Sequence, residues 1–242
     1  MTSRSSSVLE SLTGKVAVVT GGGSGIGAAI VQGLTDAGVT CHAIGRRGPV
    51  KLDASDQPAV KRFVDSLPRL DILVCAAADQ VPRRKLEELT PEVWDHLIAV
   101  NLSGAFYFIN AGLAMLRAAR GDVVMISSVS ARWPDSSGPA YQASKAGMSA
   151  LAAAAGFEEH LNGVRFSVIN PGAVDTPLLG KRPVPPPPDV AAAMLRPEDV
   201  ADACLMLLKL PRRAHIPDLT IVPTRLQSLG KTSVPNPKPA PE

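Results

Sequence analysis

Aromatic residues are scarce, at 4% of the 242-residue chain with only two Tyr and two Trp, so a tyrosine inside a patterned segment is informative. Cysteine is scarcer still. Cys41, Cys75 and Cys204 lie far apart with no C-x-x-C, which argues against a disulfide framework and against a zinc site, and a reducing, cytoplasmic setting is expected. No metal is expected. Charge of one sign is also lacking: the net charge is +3, and the basic clusters Arg46-Arg47, Arg83-Arg84-Lys85 and Arg212-Arg213 are scattered, which makes nucleic acid a poor partner. Nowhere do about 18 apolar residues run uninterrupted, and the Ser-rich start Met1 to Glu10 has no apolar stretch of signal length. Neither export nor a membrane span is expected.

What is present is core material, 45% hydrophobic against 19% charged residues, enough for a folded protein of this length as one domain. Short β-branched runs alternate with Ala-rich helical stretches, the pattern of a parallel sheet covered on both faces. Six runs read as buried strands: Lys15 to Thr20, Val39 to Ile44, Asp71 to Cys75, Asp122 to Ser127, Val164 to Ile169 and Leu219 to Val222. Val50 to Asp53 is a weaker seventh. Helices are expected over Gly25 to Ala37, from Thr90-Pro91 through Asn101 to Ala119, over Pro139 to Leu161, and over Pro197 to Leu210. The fold class is therefore α/β, a Rossmann-like doubly wound parallel sheet of about seven strands spanning residues 1–228. The Lys181 to Asp189 proline run reads as a surface loop, and the Pro/Lys-rich tail 229–242 as flexible.

After the first strand, Thr20-Gly21-Gly22-Gly23-Ser24-Gly25-Ile26-Gly27 leads directly into a helix. Glycines there let the backbone turn tightly and approach a pyrophosphate, whose charge the free N–H groups of the helix start can bind. The spacing is G-x-x-x-G-x-G rather than G-x-G-x-x-G, and taken alone a simple strand-to-helix turn remains open. The second strand ends Ile44-Gly45-Arg46-Arg47, where dinucleotide folds read the adenosine ribose. An acid would bind the 2′-hydroxyl of NAD; Gly45 removes it, and Arg46 offers a planar fork for the 2′-phosphate of NADP. A solvated turn arginine is the plainer alternative.

Tyr141 begins Tyr141-Gln142-Ala143-Ser144-Lys145, and residues four apart share a helix face, so an ammonium is expected beside the phenol. A nearby cation favours tyrosinate and would tune the phenol as an acid or base. By itself the pair could equally be a packed Tyr with a solvated Lys.

In combination these motifs resemble the short-chain dehydrogenase/reductase family over nearly the whole chain. Ser128 stands thirteen positions before Tyr141, Asn101 lies in Val100-Asn101-Leu102-Ser103-Gly104, and Asn170-Pro171-Gly172-Ala173-Val174-Asp175-Thr176 follows the sixth strand. The resemblance implies a tetrad of Asn101, Ser128, Tyr141 and Lys145: Ser128 binds the substrate carbonyl, Tyr141 donates the proton, Lys145 depresses the tyrosine pKa and holds the nicotinamide ribose, and Asn101 anchors a relay water. It implies cofactor contacts from Gly21, Gly23, Ser24, Gly25, Ile26, Gly27, Arg46, Arg47, Asp53, Ala77, Tyr141, Lys145, Pro171, Gly172 and Thr176. NADP(H) is favoured over NAD(H), with a small-molecule ketone or alcohol as substrate and self-association as a tetramer or dimer through Asn101 to Ala119 and Pro139 to Leu161. An NAD-preferring dehydrogenase or a dinucleotide sensor without chemistry are the alternatives; the latter usually loses the Tyr or Lys retained here.

The sequence departs from the family where Cys75-Ala76-Ala77-Ala78 replaces Asn-Asn-Ala-Gly, removing polar side chains that steady the central strands. The connection from Arg47 to Asp53 is short and lacks a helix. Arg132, Trp133 and Lys181-Arg182 could suit an anionic or polyhydroxylated substrate, although solvated loop charges are the simpler reading.

Overall fold

The structure, a computed structural model, describes residues 9–46 and 48–226. Its core is one parallel sheet built from β1 (Val16–Thr20), β2 (Thr40–Ile44), β3 (Ile72–Cys75), β4 (Asp122–Ile126), β5 (Arg165–Pro171) and β6 (Asp218–Ile221), in the order β2-β1-β3-β4-β5-β6. Successive side chains of a strand point to opposite faces, and the near-continuous apolar runs accordingly feed two separate cores. Val18, Leu73 and Met125 pack on one side against Val60 and Val64 of α2 (Gln57–Asp65), Phe108 and Leu116 of α4 (Gly104–Ala119), and Met148 of α5 (Pro139–Glu159). Val19, Val74 and Val124 pack on the other side against Ile30 and Leu34 of α1 (Gly25–Asp36) and Cys204 and Leu207 of α7 (Pro197–Lys209). Gly33 lets α7 close in: a β-carbon there would lie 3.2 Å from the Leu205 side chain.

Three sequence expectations need correction. Among the described residues the sheet has six strands, not about seven: Val50 to Asp53 contributes only the Ile44–Val50 bridge. A turn at Gly45–Gly48 brings Val50 back to Ala43 and Gly45, and by Asp53 the chain has turned away, with the Asp53 carboxylate accepting from Ser55 N and Oγ at 2.9 and 2.7 Å. Helix α2 was not expected, although its signal is local: Asp56 caps Ala59 N at 3.0 Å, and proline follows in the first turn. The proline run is not wholly loop, because α6 (Pro188–Ala192) begins inside it; proline is tolerated in a first turn, where its missing N–H has no intrahelical partner.

The helical stretch from α3 (Pro91–Ile98) into α4 is interrupted at Ala99–Ser103 by a π-helical turn, an irregularity that often marks functional positions. By length and composition Pro91–Ala119 could cross a membrane, but here Leu97, Phe108, Ile109 and Leu116 are buried within the fold. The tail 229–242, like Arg47, lies outside the described residues.

Candidate active site

Strand order reverses between β1 and β3, the point where open α/β sheets leave a crevice beyond their carboxyl ends. The glycine loop lies there. Gly21 has φ +68°, and a β-carbon on it would come within 2.8 Å of Ala76 O; one on Gly27 would come within 2.3 Å of Gly21 O. Only glycine permits this tight strand-to-helix passage. The Ser24 side chain makes no capping bond, so it does not block the first-turn N–H groups of α1 from a ligand.

A cleft of about 720 Å³ opens over this loop, lined by Gly21, Gly23, Ser24, Gly25, Ile26, Gly27, Arg46, Asp53, Ala77, Tyr141, Lys145 and Thr176. Pro171 and Gly172 instead line a neighbouring cavity of about 180 Å³, together with Ser128 and Tyr141. Tyr141, Ser127, Ile26, Thr176 and Leu178 form the wall that the two share. Asn101 lines neither; it is fully buried behind the cleft. Arg47 lies outside the described residues.

The altered segment after β3 is steadied by substitute bonds. Thr20 Oγ1 accepts from the N–H groups of Ala76 and Ala77, both at 3.1 Å. Asn101, in the π-turn, accepts from Asp79 N at 2.6 Å and donates to Asp79 O and Ser144 Oγ, each at 3.1 Å. Its amide thus holds both backbone groups of Asp79 and ties them to α5. Cys75 is buried, which pushes its thiol up to about 12 and leaves it inert near neutral pH.

Asp79 was not singled out by its sequence, yet it is the electrostatic centre of the cleft. Its carboxylate meets His96 Nε2 at 3.0 Å, Arg46 at 3.6 Å and the Lys181 ammonium. Burial pushes its pKa up, but hydrogen bonds from Lys181 and His96 outweigh that and hold it below the usual carboxylate range. With the two cations Arg46 and Lys181 around it, the carboxylate does not leave the cleft hostile to phosphate. The only sequence signal was a charge directly after an apolar strand.

The tyrosine environment departs from expectation. Ser128 hydrogen-bonds the Tyr141 phenol, yet burial dominates and pushes the phenol up to about 12, with Asp135 raising it further and Arg84 opposing. Lys145 does not pull it down: Nζ donates to Ile126 O at 2.8 Å and sits 5.8 Å from the ring centroid. The carbonyl at the end of β4 has claimed the ammonium, so the phenol stays protonated at neutral pH.

Lys145 is itself enclosed, and burial lowers it from 10.5 to about 8. Unfolding restores the higher value, so stability gained from its neutral form is present at high pH and lost as pH falls through about 8. Raising the pH from 7 to 9.5 is therefore expected to stabilise the protein relative to Lys145→Met by about 2 kcal/mol in denaturant unfolding. A pH-independent difference between the two would show that this ammonium is not desolvated.

These elements meet as a glycine turn beside a half-buried Ser128–Tyr141 pair and the buried Lys145. The short chain dehydrogenase family model matches residues 48–184, more than half of the chain and including Ser128, Tyr141 and Lys145. The chain belongs to this family. L-fucose dehydrogenase of Mus musculus is 34% identical over 184 residues, covering 69% of this chain and 67% of that protein. A short chain dehydrogenase from Burkholderia cenocepacia, solved with NADP, superposes with a TM-score of 0.75 at 26% identity, covering 87% of this chain and 89% of that one. A 3-ketoacyl-(acyl-carrier-protein) reductase from Brucella melitensis, complexed with NADH, shares the fold at a TM-score of 0.79 and 24% identity, covering 87% and 98%. The short-chain dehydrogenase is thus an oxidoreductase of Rossmann type.

Proposed function

We propose that this short-chain dehydrogenase is an NADP(H)-dependent carbonyl reductase, also able to oxidise the corresponding alcohol. The observation that carries this reading is the Ser128–Tyr141 pair, with Tyr141 on the wall between the glycine-lined cleft and the smaller cavity. A nicotinamide dinucleotide fits the cleft because glycine backbone at Gly21 and Gly27 leaves room for close approach and the start of α1 is open to a pyrophosphate. When bound it supplies a hydride equivalent to the carbonyl carbon. Arg46, Asp53, Ala77, Lys145 and Thr176 are the side chains and backbone that would hold it, with Pro171 and Gly172 at the edge of the substrate cavity.

Ser128 Oγ donates to the carbonyl oxygen and orients it. Tyr141, protonated at neutral pH, gives its phenolic proton to that oxygen as the C–O bond becomes an alcohol. These donors are fixed before reaction and gain strength as negative charge develops on oxygen, which lowers the barrier. Lys145 supplies positive charge behind the phenol, and Asn101 positions Asp79 and Ser144. A phenol that stays protonated is suited to reduction.

The preference for NADP rests on Gly45, which offers no acid, and on Arg46, which extends exposed over the cleft. Arg46→Ala is expected to reduce the ratio of kcat/KM for NADPH over NADH by about tenfold or more, as loss of a charge-assisted bond implies. An unchanged ratio assigns no phosphate-reading role to Arg46. Self-association is proposed through the α4 and α5 faces, which leave Phe106 46% and Phe157 79% exposed, with Leu161 at 87% just beyond α5. The three free cysteines support a cytoplasmic setting.

A further inference from the structure

Each reduction consumes the phenolic proton of Tyr141, and the next one requires another. Tyr141 stands on the wall between the cleft and the substrate cavity, so dinucleotide and substrate cover it from both sides. The route through Lys145 that the family resemblance implies begins in the core. Its ammonium is held by Ile126 O at 2.8 Å and Met148 Sδ at 3.5 Å, and the residue is 2% exposed. Asn101, fully buried, commits its amide to Asp79 and Ser144.

A continuous chain of hydroxyls leads from the phenol to solvent by another way. Tyr141 is hydrogen-bonded to Ser128, Ser128 Oγ lies 3.1 Å from Ser130 Oγ, and Ser130 Oγ lies 2.5 Å from Asp135 Oδ2. The last distance is that of a hydroxyl bound to a charged oxygen. Ser130 is buried, whereas Asp135 is exposed. The chemistry of the groups fixes the direction of every link. A carboxylate only accepts, so the single Ser130 proton points to Asp135, and Ser130 Oγ accepts from Ser128. Ser128 in turn presents a lone pair to the phenol, which donates to it.

Local structure keeps the chain in line. Ser128 caps a 3-10 turn at Val129–Ala131, its Oγ accepting from Ser130 N at 3.1 Å. Asp135 Oδ1 accepts from Ser137 N at 2.8 Å, and Asp135 O accepts from Gln142 Nε2 at 3.1 Å, which ties the loop to α5, the helix that carries Tyr141. Gly138, at φ +84°, lets the same segment pack directly on Arg84 O, and Gln80 Nε2 fastens it through Ser137 O at 2.9 Å.

Resting on the reductase reading above, we infer that Ser130 and Asp135 return a proton to Tyr141 after each reduction, acting through Ser128. Substrate draws the Ser128 proton to its carbonyl during hydride transfer, and tyrosinate remains once the alcohol has formed. Ser128 Oγ then turns its proton to the tyrosinate oxygen, Ser130 Oγ gives its proton to Ser128, and Asp135, which takes a proton from solvent, gives it to Ser130. Three O–H bonds break and three form, so the net change is one proton moved from solvent to phenol. The passage leaves each hydroxyl donating one step outward, the arrangement described above. Alcohol oxidation runs the same path in reverse.

The test compares the first turnover with those that follow. The full-length protein with NADPH is mixed in stopped flow with 4-nitrobenzaldehyde, 2,3-butanedione or cyclohexanone, and NADPH oxidation is followed by fluorescence. The first turnover uses the proton already on Tyr141. Ser130→Ala is therefore expected to keep the first hydride transfer within about threefold of the unaltered protein while kcat falls by about tenfold or more, giving a burst of about one NADPH per site. The solvent deuterium isotope effect on its kcat is expected to rise by about twofold or more. Ser130→Thr keeps a hydroxyl and should restore most of kcat. Asp135→Asn changes an exposed residue, where folding is not at stake, and should reproduce the burst because an amide does not carry the proton. Equal loss in both phases would mean that Ser130 only orients Ser128, and an unchanged kcat would mean that water reaches the phenol directly; either result overturns the relay. An unaltered protein that binds NADPH and reduces none of the three carbonyls would instead overturn the reductase reading, and the relay with it.

Discussion

Tyr141→Phe is expected to lower turnover by about a thousandfold while the dinucleotide still binds, because the substitution removes one hydroxyl and leaves the ring and Lys145 in place. The loss follows from the position of the phenol. It stands on the wall common to the cleft and the substrate cavity and is hydrogen-bonded to Ser128, which places its proton where both spaces meet. Removal of the phenol leaves Ser128 still able to polarise the carbonyl, which is why residual activity above background is expected. The effect should be in kcat rather than in the affinity for NADPH. Turnover within about threefold of the unaltered protein would mean that another group supplies the proton and would remove Tyr141 from the mechanism.

Gly27→Ala is expected to weaken dinucleotide binding by about a hundredfold or more. The added methyl would sit 2.3 Å from Gly21 O, and both atoms belong to the glycine turn, so backbone must move rather than a flexible side-chain end. Movement there displaces the N–H groups at the start of α1 that the pyrophosphate needs. Gly33→Ala on the same helix provides the contrast: its methyl meets the flexible end of Leu205 at 3.2 Å, so it should alter stability while leaving cofactor affinity nearly unchanged. If both variants bind NADPH alike, the glycine turn is only a connection between strand and helix. Circular dichroism on both variants separates loss of fold from loss of site.

Much of this arrangement was legible in local patterns. Continuous apolar runs marked the six strands, although β6, at the sheet edge, has no buried residue where a buried strand was expected, and the glycine turn and the Tyr141–Lys145 spacing depend on residues close in sequence, where period and spacing carry information. Positions whose roles depend on distant neighbours were not legible. Arg84 reads as one member of a basic cluster until Gly138, far along the chain, brings α5 against it. Asp79 acquires its meaning from Asn101, His96, Arg46 and Lys181, which three separate segments deliver. Helical spacing places Lys145 near the Tyr141 ring, but the bond of its ammonium to Ile126 O, from β4, has no local sequence signal. The seventh strand failed because pairing stopped at Val50 after a single bridge.

The most direct test of the account is a fluorescence titration of the purified protein with NADPH and with NADH at fixed salt. The account predicts saturable binding of both reduced dinucleotides, with NADPH the tighter. Absence of binding for either one up to millimolar concentration would contradict it, because the glycine turn, Lys145 and Arg46 would then form a cleft without its ligand.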